Sequence, residues 1–118
     1  GGASKAVAFV FAELGIPYAF VSRNPKKGEL GYEKLNREII KEHTVLINCT
    51  PLGTYPNITG KPKIPYEFIG PEHLLFDLIY NPEKTAFLKE GEARGAVICN
   101  GLKMLEWQAE KAWEIWNS

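Results

Sequence analysis

The sequence lacks an excess of charge of either sign, because fourteen lysines and arginines balance fourteen aspartates and glutamates. A chain without a net field does not gather nucleic acid or an anionic lipid surface from a distance. It also lacks any apolar run close to the roughly 18 residues that a bilayer-crossing helix requires, and no basic and apolar leader opens it. We therefore expect neither nucleic acid nor a membrane as a partner, and we expect a soluble, cytoplasmic protein.

Cysteine is also scarce. The only two, Cys49 and Cys99, each follow a short apolar run, which is typical of small buried side chains and not of a disulfide framework. The two histidines, His43 and His73, lack the spacing of metal ligands. We therefore expect no disulfide and no metal site.

The length of 118 residues favours one domain. Along it, the apolar residues alternate between short continuous runs and helical spacing. Short, near-continuous apolar runs are typical of parallel strands buried on both faces of a sheet. They occur at residues 18–21, 45–48, 74–79 and 96–99, and helical patterns occur at 4–14, 32–40, 83–94 and 102–116. This alternation predicts an α/β fold, a Rossmann-type doubly wound parallel sheet.

The first strand of the predicted sheet is missing from this sequence. A dinucleotide-binding fold places its central strand immediately before a glycine turn, and the sequence begins at such a turn. We expect a partial domain in which strands near residues 18–21 and 74–79 flank a gap, and a preceding N-terminal segment as the partner that fills it. The alternative is that Gly1 and Gly2 are a cloning remnant on a complete small domain.

The glycine turn itself indicates a phosphate site. Gly1, Gly2, Ala3 and Ser4 are small residues whose backbone N–H groups lie at a helix start, where a pyrophosphate can approach the positive end of the helix dipole. Half a glycine fingerprint also describes ordinary helix starts.

A basic loop follows the next predicted strand. NAD-specific folds carry an acidic residue there for the ribose 2′-hydroxyl, whereas this sequence has Arg23 and Lys27. A planar guanidinium forks onto a 2′-phosphate, and a lysine adds charge. The loop therefore favours NADP over NAD, and the alternative is a solvated basic turn.

Three further motifs follow predicted strands and complete a pattern. They read N-C-T-P-L-G at 48–53, D-L-I-Y-N-P at 77–82, and N-G-L-K-M-L at 100–105, which continues to Gln108. In this order and at about this spacing, the motifs resemble the shikimate dehydrogenase family over essentially the whole chain. The resemblance is to the C-terminal, NADP-binding domain of that family.

The resemblance assigns cofactor residues. The family's turn is written G-A-G-G-A-S, and the chain holds all but its first two residues. The family's N-R-T, followed three residues later by Arg or Lys, appears here as Ser22, Arg23 and Asn24 with Lys27, so that Ser22 and Asn24 are departures. The resemblance implies the following cofactor contacts: Gly1, Gly2, Ala3, Ser4, Arg23, Asn24, Lys27, Thr50, Leu78, Gly101 and Met104.

Within that set, the resemblance places Thr50 beside the adenosine-side or the nicotinamide-side ribose, and Leu78, Gly101 and Met104 beside the nicotinamide. It assigns contacts with shikimate to Tyr80 and Gln108. Met104 and Gln108 are four apart and share a helix face. The alternatives are that Met104 belongs to the core and that Tyr80 is a strand-end aromatic with its hydroxyl in water.

The activity implied by the resemblance is that of an NADP-dependent oxidoreductase. It reduces 3-dehydroshikimate to shikimate with NADPH, in the biosynthesis of chorismate and aromatic amino acids. The family's catalytic lysine and aspartate belong to an N-terminal substrate domain that nothing in this chain matches, so we expect no catalytic residue here and an inactive fragment. A quinate/shikimate-type paralogue and a non-catalytic nucleotide-binding module remain open alternatives, as does a homodimer.

Overall fold

The computed structural model of the protein describes residues 2–102 of the 118-residue chain. Three predicted site residues, Gly1, Met104 and Gln108, lie outside the described residues, as does most of the predicted last helix. The elements in chain order are α1 (Gly2–Glu13), β1 (Val21–Ser22), β2 (Leu30–Gly31), α2 (Arg37–Glu42), β3 (Val45–Asn48), β4 (Leu74–Asp77), α3 (Ala86–Ala93) and β5 (Val97–Cys99), with short 3-10 turns at Tyr32–Lys34 and Tyr66–Phe68.

All strand pairs in the described chain are parallel. Strands β3, β4 and β5 form one sheet in that order, and β1 pairs with β2 in a separate two-stranded sheet. Helix α3 connects β4 to β5 and packs on both. Helices between parallel strands are the expected crossovers of an α/β fold.

Helix α1 ends as its sequence predicts. Gly15 adopts φ +70°, a left-handed conformation that glycine accepts without steric cost. The backbone N–H of Ile16 donates to the Phe11 carbonyl oxygen at 2.9 Å, which satisfies one of the last carbonyls of the helix. The chain then turns toward β1.

Several predicted element boundaries are wrong, and two of them are wrong because a side-chain cap starts the helix at a later residue. The helix predicted over residues 32–40 is divided, since the Asn36 side chain accepts from the Ile39 N–H at 2.9 Å and starts α2 there. Similarly, Thr85 caps the helix predicted from residue 83, which begins at Ala86. Strand β1 forms at Val21–Ser22 and not over 18–21, and the two-residue β2 was not predicted.

The position of β4 corrects the predicted gap. Its residues pair with β3 on one side and with β5 on the other, so the strand predicted at 74–79 does not border a gap. Within residues 2–102, β3 has a strand partner on one side only. Burial is also less even than predicted, because Val45 and Val97 at the starts of β3 and β5 are 48% and 63% exposed.

The core lies between the three-stranded sheet and α3. Its buried side chains include Leu75, Phe87 and Leu88. His73 is buried beside them, where its Nδ1 accepts from the Gly70 N–H at 3.1 Å and its Nε2 donates to the Ile40 carbonyl oxygen at 2.8 Å. His73 is thus a structural residue. No helix within residues 2–102 is long and apolar enough to cross a bilayer.

Candidate functional site

The carboxyl ends of β3, β4 and β5 bring three loops together at one edge of the sheet. The Leu78 N–H donates to the Asn48 carbonyl oxygen at 3.2 Å, and the Gly101 N–H donates to the Ile79 carbonyl oxygen at 3.2 Å. Ligands of open α/β sheets bind at this edge. The motifs at 48–53 and 77–82 and the described part of the third, residues 100–102, therefore meet where a ligand is expected.

A buried carboxylate organises the edge. Asp77, at the end of β4, is fully buried and accepts hydrogen bonds from Asn48 Nδ2 at 3.1 Å and from Thr85 Oγ1 at 2.7 Å. The Ile79 N–H donates to its other oxygen at 3.0 Å. Because a buried carboxylate is costly unless it is hydrogen-bonded, these three donors hold the strand ends and the start of α3 in one arrangement.

Thr50 is the next member of this network. Its backbone N–H and its hydroxyl donate to Asn48 Oδ1 at 3.0 and 2.7 Å. The Leu52 N–H in turn donates to Thr50 Oγ1 at 3.2 Å. Thr50, the predicted ribose contact, is thus held by hydrogen bonds at the carboxyl end of β3, where its side chain is half-buried.

Two glycines allow the loops to approach each other. Gly53 adopts φ +94°, and a Cβ built on it would lie 2.9 Å from the Gly60 carbonyl oxygen. A Cβ on Gly101 would overlap the Leu78 carbonyl oxygen. Any larger side chain at either position would push the loops apart, so both glycines are required by the geometry.

An open cleft of about 330 Å³ lies beside the loop that follows β4. Leu78 and Tyr80, for which the family resemblance implies contacts with nicotinamide and with shikimate, both line it, and Tyr80 is 54% exposed. Thr54, Ile79 and Asn81 complete the lining. The Tyr55 N–H donates to the carbonyl oxygen of Asn81 at 3.1 Å and so connects the chain after Thr54 to this lining.

The basic loop follows β1. Arg23 and Lys27 are exposed there, and in the described part of the chain neither has an ion-pair partner. The Asn24 N–H donates to Ser22 Oγ at 3.2 Å, so the two departures from the family motif shape the turn itself. Burial raises the pKa of the Tyr32 hydroxyl, and the nearby positive charge of Arg23 opposes that rise.

The start of α1 supplies backbone N–H groups. Gly2, Ala3 and Ser4 occupy its first turn, which contains no acidic side chain to offset the positive end of the helix dipole. Anions are stabilised at such a position. The described part of the predicted pyrophosphate site is therefore at a helix N-terminus, as the glycine turn indicated.

Sequence reasoning missed the contacts made by Asn48, Asp77 and Thr85. Asp77 is the only aspartate in the chain and follows an apolar run, which is the one signal that marks it. Its partners are 29 and 8 residues away, and no local pattern connects them. Cys49, next to Asn48, is half-buried, and this burial raises the pKa of its thiol.

The chain is similar in sequence to curated proteins that share one name. No protein-family model matches the chain. Proteins named shikimate dehydrogenase (NADP(+)) are similar to it at 34% identity in Desulforamulus reducens, 36% in Methanococcus maripaludis and 33% in Dehalococcoides mccartyi. The similarity covers 98 to 100% of this chain and 46 to 47% of those proteins, so the chain spans about half the length of the curated relatives it matches.

Solved structures agree. Shikimate 5-dehydrogenase from Thermus thermophilus in complex with NADP(H) and shikimate superposes with a TM-score of 0.78 at 31% identity, over 98% of this chain and 46% of that one. Shikimate dehydrogenase from Aquifex aeolicus gives 0.78 at 29% identity, over 99% of this chain and 45% of that one. The Rossmann-like fold predicted from the sequence is confirmed.

Proposed function

Since the chain is homologous over nearly its whole length to the shikimate dehydrogenases, we propose that it is the NADP-binding part of an enzyme that reduces 3-dehydroshikimate to shikimate. The observation that carries the cofactor choice is the exposed Arg23 in the loop after β1. An NAD-specific site would offer a carboxylate there. The guanidinium instead offers two parallel N–H donors to a 2′-phosphate.

The described residues fit a dinucleotide along the edge of the sheet. The N–H groups at the start of α1 are proposed to bind the pyrophosphate, and Thr50 at the end of β3 is proposed to contact a ribose. Gly101 lets the backbone approach Leu78 closely, and Leu78 lines the cleft in which we propose that the nicotinamide ring lies. NADPH, when bound, supplies the hydride that reduces the ketone.

The substrate side of the cleft is supported by Tyr80. Its side chain is exposed in the cleft that Leu78 also lines, so a ring hydroxyl can bond to it while the nicotinamide lies alongside. Gln108, outside the described residues, is proposed as the second contact. The proton of the reduction is handled elsewhere in the intact protein, because the chain matches neither catalytic residue of the family.

The free edge of β3 supports a further part of the proposal. In the described chain, β3 pairs only with β4, while β1 and β2 form a separate sheet. Strand edges without partners attract further strands. We propose that an extended segment of the intact protein pairs with this free edge of β3.

The setting of the reaction is proposed as the cytoplasm. Both cysteines are free thiols in the structure, which suits a reducing compartment. Self-association into a homodimer stays a prediction, and sedimentation of the intact protein at several concentrations tests it.

The experiment that tests the activity follows the absorbance of NADPH with the intact protein and 3-dehydroshikimate. We expect turnover with NADPH well above that with NADH, and oxidation of shikimate with NADP⁺ in the reverse direction. Faster oxidation of quinate than of shikimate would identify the quinate-type paralogue. Tight NADP binding with no turnover of either substrate would identify a non-catalytic nucleotide-binding module.

A further inference from the structure

The amide of Asn48 can adopt only one orientation. Its Nδ2 donates to Asp77 Oδ2 at 3.1 Å and to the Leu52 carbonyl oxygen at 3.5 Å, and its Oδ1 accepts from the Thr50 N–H at 3.0 Å. Carboxylate and carbonyl oxygens accept, and a backbone N–H donates. Rotating the amide by half a turn would oppose acceptor to acceptor or donor to donor at each of these three contacts.

Because of this orientation, the Thr50 hydroxyl donates its proton to Asn48 Oδ1. Its Oγ1 lies 2.7 Å from Asn48 Oδ1, and two oxygens at that separation require a proton between them. The Leu52 N–H uses one lone pair of the same oxygen at 3.2 Å. What Thr50 has left to offer a ligand is one lone pair, and therefore the role of acceptor.

From this chain of contacts we infer that Asp77 is a positioning residue that fixes Thr50 as a hydrogen-bond acceptor for a hydroxyl group of the bound ligand. The inference rests on the proposed function, which supplies the ligand: a dinucleotide whose ribose hydroxyls pass Thr50. A phosphate or carboxylate oxygen would find no donor in that hydroxyl. The contact therefore selects ribose and not phosphate at this place.

Asp77 suits this role because its own geometry is fixed. Thr85 Oγ1 at 2.7 Å and the Ile79 N–H at 3.0 Å hold the carboxylate from the start of α3 and from the loop after β4. It is fully buried, so water does not compete for these bonds. Asp77 thus determines, through Asn48, that the Thr50 hydroxyl accepts a hydrogen bond from the ligand, although Asp77 does not itself contact the ligand.

The test measures dissociation constants of the intact protein for NADP⁺ and for analogues that lack one ribose hydroxyl each, on the nicotinamide or the adenosine side. We expect one analogue to bind the wild type about two- to tenfold more weakly than NADP⁺, as one lost hydrogen bond predicts. In Thr50→Val this ratio falls to about one. Thr50→Ser and the exposed control Thr59→Val keep it.

Asp77→Asn separates positioning from structural support. An asparagine there has its own N–H donors and no longer fixes the Asn48 amide, so we expect the analogue ratio to fall toward one. The double variant with Thr50→Val should lower the ratio no further. A purely structural role would weaken NADP⁺ and all analogues in the same proportion and leave the ratio at its wild-type value, which would overturn the inference.

Asn48→Ala gives a second route if Asp77→Asn does not fold, because it removes the connection and leaves the carboxylate in place. The ratio of the dissociation constants for the analogue and for NADP⁺ is again expected to fall toward one. If the wild type binds NADP⁺ and every analogue equally, the inference is overturned while the proposed function stands. If the wild type does not bind NADP⁺ at all, the proposed function is overturned, and the inference with it.

Discussion

Asp77 and Asn48, both buried, connect the ends of two neighbouring strands through a 3.1 Å hydrogen bond between side chains 29 residues apart in sequence. The bond closes the carboxyl edge of the sheet where the proposed cofactor lies. We therefore expect stability and ligand binding to depend on the same few polar side chains. Single substitutions separate the two effects.

Thr85→Ala should lower the free energy of unfolding by about 1–3 kcal/mol, because it removes both a buried donor to Asp77 and the N-cap of α3. Urea denaturation of the intact protein measures the change. Thr59→Ala, at an exposed position, is the control and should unfold as the wild type does. Equal midpoints for the two variants would contradict the importance of the Thr85 contacts.

Gly101→Ala should disturb the cleft because the added Cβ overlaps the Leu78 carbonyl oxygen. We expect a loss of about 1–3 kcal/mol in stability together with weaker NADP⁺ binding. Gly15→Ala is the matched control, since its added Cβ meets no atom within 4 Å and the change carries only the cost of a left-handed φ, about 1–2 kcal/mol. Its NADP⁺ affinity should be unchanged, and an unchanged affinity in Gly101→Ala would speak against the close approach.

Tyr80→Phe should raise the Michaelis constant for shikimate about two- to tenfold and leave that for NADP⁺ nearly unaltered, because only one substrate hydrogen bond is lost. Gln108→Ala is expected to behave in the same way. Steady-state kinetics with the intact protein give both constants. Tyr18→Phe serves as the control at an exposed tyrosine, and equal effects of Tyr80→Phe on both ligands would indicate packing.

Tyr66 predicts a dependence of stability on alkaline pH. Burial raises the pKa of its hydroxyl above the ordinary value of 10.0, and the hydroxyl donates to the Pro62 carbonyl oxygen at 2.6 Å. When a hydroxyl has a higher pKa in the folded state than in the unfolded state, its full contribution to folding stability is present below the unfolded pKa. This contribution is lost as the pH rises from the unfolded pKa through the folded pKa. Wild-type stability should therefore fall more steeply above pH 10 than that of Tyr66→Phe, and parallel curves would be the contrary result.

The sequence determined the main strands because each is a short apolar run with polar residues at its end. The predicted strand at 45–48 coincides with β3, and the glycine stop of α1 was predicted at Gly15. Strand β2 has two residues and no periodicity, so no pattern marks it.

The contacts within the site were less accessible to sequence reasoning. Thr50, Leu78 and Tyr80 were named through motifs, and the structure gathers them at one edge of the sheet. The role of Asp77 depends on the register of β3 against β4, which pairs Asn48 with Asp77. Register is set by packing across the sheet and not by either strand alone, and the start of α3 at Thr85 follows from a side-chain cap.

The proposed NADP site of this chain depends on the basic loop after β1. The measurement that tests it most directly is the ratio of the dissociation constants for NAD⁺ and NADP⁺ in the intact protein and in Arg23→Ala, with Arg37→Ala as an exposed arginine control. We predict a strong wild-type preference for NADP⁺ that Arg37→Ala retains and Arg23→Ala reduces more than tenfold, since a charge-assisted pair contributes about 1.5–3 kcal/mol. An unchanged preference in Arg23→Ala would contradict the account.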